Sequence, residues 1–142
     1  MNQKKIDDMI PTALRFLALP HEQFKNIKTA HGKIKSKYAG YIASFGPSVI
    51  QAGIAKTLAF YIKQSKADRE TIANFIKHVL IECYSLTDNN KSKDILSIYL
   101  EHTNNNPTLI KLNFRDKILE ASTACKLAMF TYQIDKEESH ED

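Results

Sequence analysis

Apolar side chains recur at steps of three and four along most of this 142-residue chain. That spacing puts them on one face of an α-helix. Ile6, Met9, Ile10, Ala13, Phe16 and Leu17 open the pattern. They predict a first helix from about Lys4 to Leu19, with Asp7 and Asp8 near its positive end and Pro20 as its stop. Phe24, Ile27, His31, Ile34, Tyr38, Tyr41 and Phe45 continue as a heptad-like stripe, which predicts a second helix over Glu22 to Phe45. Gly32 lies off that stripe and would cost such a helix about 1 kcal/mol. Gly46-Pro47 reads as its end. A third helix, from Pro47 or Ser48 to about Gln64, is expected to bury Val49, Ile50, Ile54, Leu58 and Tyr61. Gly53 inside it is either a kink or a close helix contact; in the second case a leucine there would disturb packing.

Ser65 to Asp68 offer caps for a fourth helix, Arg69 to Leu86, with Ile72, Phe75, Ile76, Val79, Leu80 and Cys83 facing inward. Thr87 to Asn90 reads as a loop. Ser92 then caps a shorter helix carrying Ile95, Ile98 and Tyr99, and Thr103 to Pro107 is another loop. Thr108 caps the last helix, which runs to about Gln133 through Leu109, Leu112, Leu119, Leu127 and Phe130. No stretch alternates as a strand does. The expectation is an all-α fold: a compact single-domain bundle of about six helices over residues 1–134, then an acidic, flexible tail over 135–142. Tyr38, Tyr41, Phe60 and Tyr61 are expected in the core rather than at an interface.

Composition narrows this further. Hydrophobic residues at 43% and charged residues at 25% exclude global disorder. Only 4 Gly and 4 Pro leave few breakers, which favours helices. Cys83 and Cys125 form no Cys-x-x-Cys pair and suggest no disulfide framework, so a reduced, cytoplasmic setting fits. The polar start, Met1 to Asp8, is no signal peptide. Tyr41 to Ile62 is apolar and long enough to span a bilayer. Gly46-Pro47, Gln51 and Lys56 interrupt it, so a buried helical hairpin and no membrane partner are expected.

Charge is unevenly placed. Residues 1–66 hold 11 Lys/Arg against 3 Asp/Glu, a net of +8, and residues 67–142 hold 9 against 13, a net of −4. A basic half can bind a polyanion. On a helix, Lys28 and Lys35 would flank one side of the second stripe, and Lys33 and Lys37 the other.

Other chemistry is weakly represented. The five histidines show no His-x-x-x-His or Cys/His spacing, so no metal and no cofactor are expected. His78 and Glu82 lie one helical turn apart, an ordinary surface pair. No Gly-rich phosphate loop or Ser/Cys nucleophile is recognisable. Arg15 and His21 satisfy the loose Arg-x(4–6)-His spacing of HEPN-type ribonucleases, the alternative reading. There the pair flanks a cleaved phosphodiester as charge stabiliser and base. Here core residues Phe16 to Leu19 fill the gap and Pro20 breaks the helix between them. A helix-turn-helix regulator fits poorly, because the basic stripe precedes an apolar helix.

Two runs carry a more specific signal. Lys37-Tyr38-Ala39-Gly40-Tyr41-Ile42-Ala43-Ser44-Phe45-Gly46-Pro47 is followed by Val49-Ile50-Gln51-Ala52-Gly53-Ile54-Ala55-Lys56-Thr57-Leu58-Ala59-Phe60-Tyr61. Together with Ile6-Asp7-Asp8-Met9-Ile10-Pro11 they resemble the small helical subunit of the type III-B CRISPR effector, the Cmr complex. The last helix, Phe114 to Met129 with Glu120 inside it, resembles that family's final segment more loosely. Leu127-Ala128-Met129-Phe130 stands where the family has a basic and aromatic close. The resemblance implies a non-catalytic structural subunit in antiviral defence. Its members stack in a filament along guide and target RNA, beside backbone subunits and touching the large subunit. Phosphate contact in such an assembly needs mobile cations, because base pairing supplies the sequence. The RNA-binding candidates are Lys28, Lys33, Lys35 and Lys37, then Lys56 and Lys63, with Arg15 and Lys25 behind them. Catalytic residues are not expected.

Overall fold

A computed structural model gives the fold and describes residues 2–64, 67–86, 93–104 and 108–136. The expected caps at Ser65 and Ser92, the loop over 87–90 and the tail beyond 136 lie outside the described residues. So do the side chains of Lys63 and Leu109. Six α-helices are seen among the described residues: α1 (Gln3–Ala18), α2 (Ser36–Ala52), α3 (Ile54–Ala59), α4 (Ala67–Tyr84), α5 (Ile95–Thr103) and α6 (Thr108–Met129). Two dipeptide strands, β1 (Ile34–Lys35) and β2 (Ile134–Asp135), pair in parallel.

α6 is the central element and packs against α1, α2, α4 and α5. Its core stripe is Phe114, Ile118, Ala121, Cys125 and Ala128, all buried. Small residues in that stripe let α1 approach closely. Leu112, Leu127 and Phe130, expected inside, are 43%, 39% and 48% exposed, because they fall off this stripe. The helix stops at Met129 rather than Gln133. Thr131 and Tyr132 donate backbone N–H groups to Ala128 and Met129 three residues back, a tightened last turn that leads into β2. α1 is capped by Asn2, whose side-chain oxygen accepts from the Lys4 and Lys5 N–H groups, and Asp7 and Asp8 follow just past the first turn. Glu120, buried on α6, accepts from the Asn2 N–H at 2.9 Å and the Tyr84 hydroxyl at 3.2 Å, tying α1, α4 and α6 together.

The expected second helix is the main correction. Lys25–Ile27 is a single 3-10 turn, and Lys28 bridges Ile34 in antiparallel fashion across a tight turn. Gly32 sits at φ +78°, in the left-handed region that a helix interior excludes. The Thr29 hydroxyl accepts from the His31 and Lys33 N–H groups, each at 3.2 Å, which gives the backbone a turn in place of a helix. Phe24, Ile27 and Ile34 are buried all the same, while His31 is exposed on the turn. The apolar stripe was real, but a folded-back loop supplies half of it.

The second correction moves the break. α2 runs through Gly46-Pro47, and Pro47 is exposed within it. The proline removes the donor to the Ala43 carbonyl without ending the helix. Continuation from Phe45 brings Val49, four residues on, into the core and turns Ile50 outward, 73% exposed rather than buried. The chain breaks instead at Gly53, with φ +93° and ψ +161°, between α2 and α3. A Cβ built there meets nothing within 4 Å, so Gly53 is a kink and not a close contact. α3 then opens into a wide π-type turn, Phe60–Gln64. α5 is capped by Asp94, which accepts from the Ser97 N–H at 2.7 Å. No described helix is long and apolar enough to cross a membrane.

Candidate nucleic-acid interface

The candidate lysines divide by element. Lys28, Lys33 and Lys35 share the turn and strand before α2, not a helix, so their expected pairing across a helical stripe does not apply. All three are half-buried. Lys28 Nζ lies 5.3 Å from the centre of the Tyr132 ring, a cation–π contact. Lys33 and Lys35 flank the fully buried Ile34. That residue donates its N–H to the Gln133 carbonyl at 2.8 Å and so ties the segment to the end of the chain. Lys35 follows Ile34 in β1, so strand alternation puts those two side chains on opposite sides. Lys37, in the first turn of α2, lies 3.3 Å from the Asp68 carboxylate and 5.5 Å from the Tyr38 ring centre. Lys56 is exposed on α3. Lys63 falls in the wide turn. Of the weaker candidates, Lys25 pairs with Glu22 at 3.1 Å and Arg15 with Glu82 at 2.8 Å.

The aromatic expectations hold for Tyr38 and Tyr61, which are buried. Tyr41 is half-buried, and Phe60 is 40% exposed. Burial pushes both the Tyr38 and Tyr61 phenols up, Tyr61 to about 12. The outward half of this group surrounds Arg69, a residue the sequence reading passed over. The Arg69 guanidinium lies 4.7 Å from the Tyr41 ring centre and 4.8 Å from that of Phe60. Helical spacing does not relate α2, the wide turn and α4, so no sequence pattern linked the three.

His21 lines a surface cleft of about 270 Å³ with Phe16, His78, Ile81 and Glu82. The His21 and His78 rings stand 4.5 Å apart, and His21 Nδ1 accepts from the Gln23 N–H at 3.1 Å. Glu82 engages Arg15 at 2.8 Å. Buried Lys77 donates to Gln23 Oε1, and burial pushes its ammonium pKa down. Among the described residues, no group of three or more His, Cys, Asp or Glu side chains could hold a metal ion.

A family model described as CRISPR-associated protein (Cas_Cmr5) matches residues 20–126. The chain belongs to this family. Cas_Cmr5 proteins are small subunits of the type III-B Cmr complex, so this chain is a Cmr subunit that associates with other subunits of that complex. No curated protein and no solved structure matches the chain significantly. The Cas_Cmr5 match takes in Lys28, Lys33, Lys35, Lys37, Lys56, Lys63 and Arg69, but not Arg15. It lends no support to the ribonuclease reading.

Proposed function

We propose that this Cas_Cmr5 chain is a non-catalytic structural subunit that stacks with further copies of itself along the guide and target RNA. It contacts RNA phosphates through its basic N-terminal half, beside the backbone subunits and the large subunit, in the cytoplasm. Residues 1–134 act as one body and the acidic segment from 135 onward as a tail, apart from the β2 pairing of Asp135. The observation that carries this reading is the family match over residues 20–126, which contains the lysines of that half from Lys25 to Lys63. The pinned geometry of the Lys28–Lys35 segment supports it. A cation held on a fixed backbone loses less freedom on binding than one on a mobile loop.

The test uses the assembled complex. Lys33→Glu with Lys35→Glu changes two half-buried lysines that have no ion pair among the described residues, so the fold should persist by circular dichroism. Assembly on guide RNA should weaken, and the dependence of log affinity on log salt should flatten by about one unit per lost phosphate contact. Unchanged assembly and an unchanged slope would remove this segment from the RNA interface.

A further inference from the structure

The wide turn after α3 and the start of α4 form a cleft of about 350 Å³ against α2. That volume lies within the roughly 300–1,000 Å³ typical of small-molecule sites. Its lining holds two cations, Lys56 and Arg69, and no carboxylate. Arg69 has no ion pair among the described residues, and its chain neighbour Asp68 is taken by Lys37 and Tyr38, each at 3.3 Å. The guanidinium is held against the Tyr41 and Phe60 rings. Ring contact fixes its plane and leaves its N–H edge as the hydrogen-bonding part. Ser44 and Ser48 line the same wall, where the Ser44 hydroxyl donates to the Gly40 carbonyl at 2.9 Å. Thr57, also in the lining and 3% exposed, has a buried hydroxyl with no hydrogen-bond partner. A native structure rarely leaves such a group unsatisfied without cause. π-type turns, too, concentrate at functional sites.

We infer that this cleft binds a phosphate group, gripped by Arg69 and Lys56. A planar guanidinium matches two phosphate oxygens at once, and Lys56 adds a mobile second charge. The phosphate belongs either to a free nucleotide or to a nucleic-acid strand. The inference shares Lys56 with the RNA reading but stands on Arg69, which that reading does not use. Only its strand form rests on that reading.

The experiment titrates the full-length protein with AMP, with adenosine and with the dinucleoside monophosphate ApA, following the Arg69 side-chain N–H and Thr57 methyl resonances. Saturable AMP binding is expected, with adenosine far weaker. Arg69→Gln should weaken AMP binding by roughly tenfold or more. Lys56→Gln, at an exposed position that leaves the fold alone, should weaken it roughly threefold. ApA binding as well as AMP assigns the phosphate to a strand; AMP alone assigns it to a free nucleotide. Adenosine binding as well as AMP overturns the inference. So does the absence of saturation with both phosphates, or parent affinity in both variants. The Lys33→Glu, Lys35→Glu protein should bind AMP like the parent, so loss of RNA assembly and loss of this site are read separately.

Discussion

The Tyr61 hydroxyl donates a 2.6 Å hydrogen bond to the backbone carbonyl of Tyr41. This bond fastens the wide turn after α3 to the middle of α2, beneath the Arg69 cleft. Burial is the main reason the Tyr61 phenol is pushed up from 10.0 to about 12; the Arg69 cation opposes the shift and Tyr41 adds to it. The folded state therefore holds this proton more tightly than the unfolded chain does. The stability it contributes is complete below pH 10 and drains away as pH rises from 10 to about 12. The loss across that window should be about 2 kcal/mol. Urea unfolding at pH 8 and at pH 11.5 measures it. Tyr61→Phe should cost about 1 kcal/mol at pH 8 for the lost bond, then decline less steeply than the parent. A residual decline is expected, because burial also raises Tyr38 and Tyr84. Parallel declines for parent and variant would mean that Tyr61 ionises in the folded protein as it does in the unfolded chain.

Gly53 and Gly40 make opposite predictions from the same substitution. A Cβ at either meets nothing within 4 Å, so packing plays no part. Gly53 stands at φ +93° and ψ +161°, a conformation essentially reserved for glycine. Gly53→Ala should destabilise the protein by about 1–3 kcal/mol through the backbone alone. Gly40 lies inside α2 with an ordinary helical φ, so Gly40→Ala should stabilise by about 0.5–1 kcal/mol. Denaturant midpoints of the two variants should move apart. Gly53→Ala matching the parent would show that the bend relaxes into a continuous helix.

The all-α character was legible because stripes such as Ile72, Phe75, Ile76, Val79 and Leu80 span whole helices and nothing competes with them. Their ends were less legible. Phe24, Ile27 and Ile34 fit a helical stripe as well as they fit a folded-back loop, since burial alone sets the pattern. What separates the two is Gly32 at positive φ and the Thr29 hydroxyl, a two-residue signal outweighed by a long periodicity. On α6 the core stripe is carried by alanines and a cysteine, while large leucines on other faces drew the reading away. At the cleft, Lys56 was visible as a lone charge. Arg69 became a candidate only once the fold set it between two rings that lie on other elements.

The parallel pair β1–β2 joins residues a hundred positions apart. Ile34 aligns with Ile134 and Lys35 with Asp135, so the end of the chain holds the basic turn in place. Ending the chain after Tyr132 removes the Gln133 carbonyl that accepts from the Ile34 N–H, and with it the whole of β2. It keeps α6 and the Tyr132 ring under Lys28. The helices should therefore persist, with circular dichroism close to that of the parent. The Lys28–Lys35 segment should open locally far more often than the bundle unfolds. Trypsin reports this directly, because cleavage after Lys33 and Lys35 needs the backbone drawn out into the protease. When opening is fast relative to cutting, the cleavage rate follows the open population. Loss of one strand contact worth about 1 kcal/mol should raise cleavage there roughly fivefold. Cleavage after Lys77, buried on α4, should stay slow in both proteins. Equal rates at Lys33 and Lys35 in the two forms would mean that Thr29 and Gly32 fix the turn unaided. Faster cleavage at Lys77 as well would mean that β2 supports the whole bundle rather than the basic segment alone.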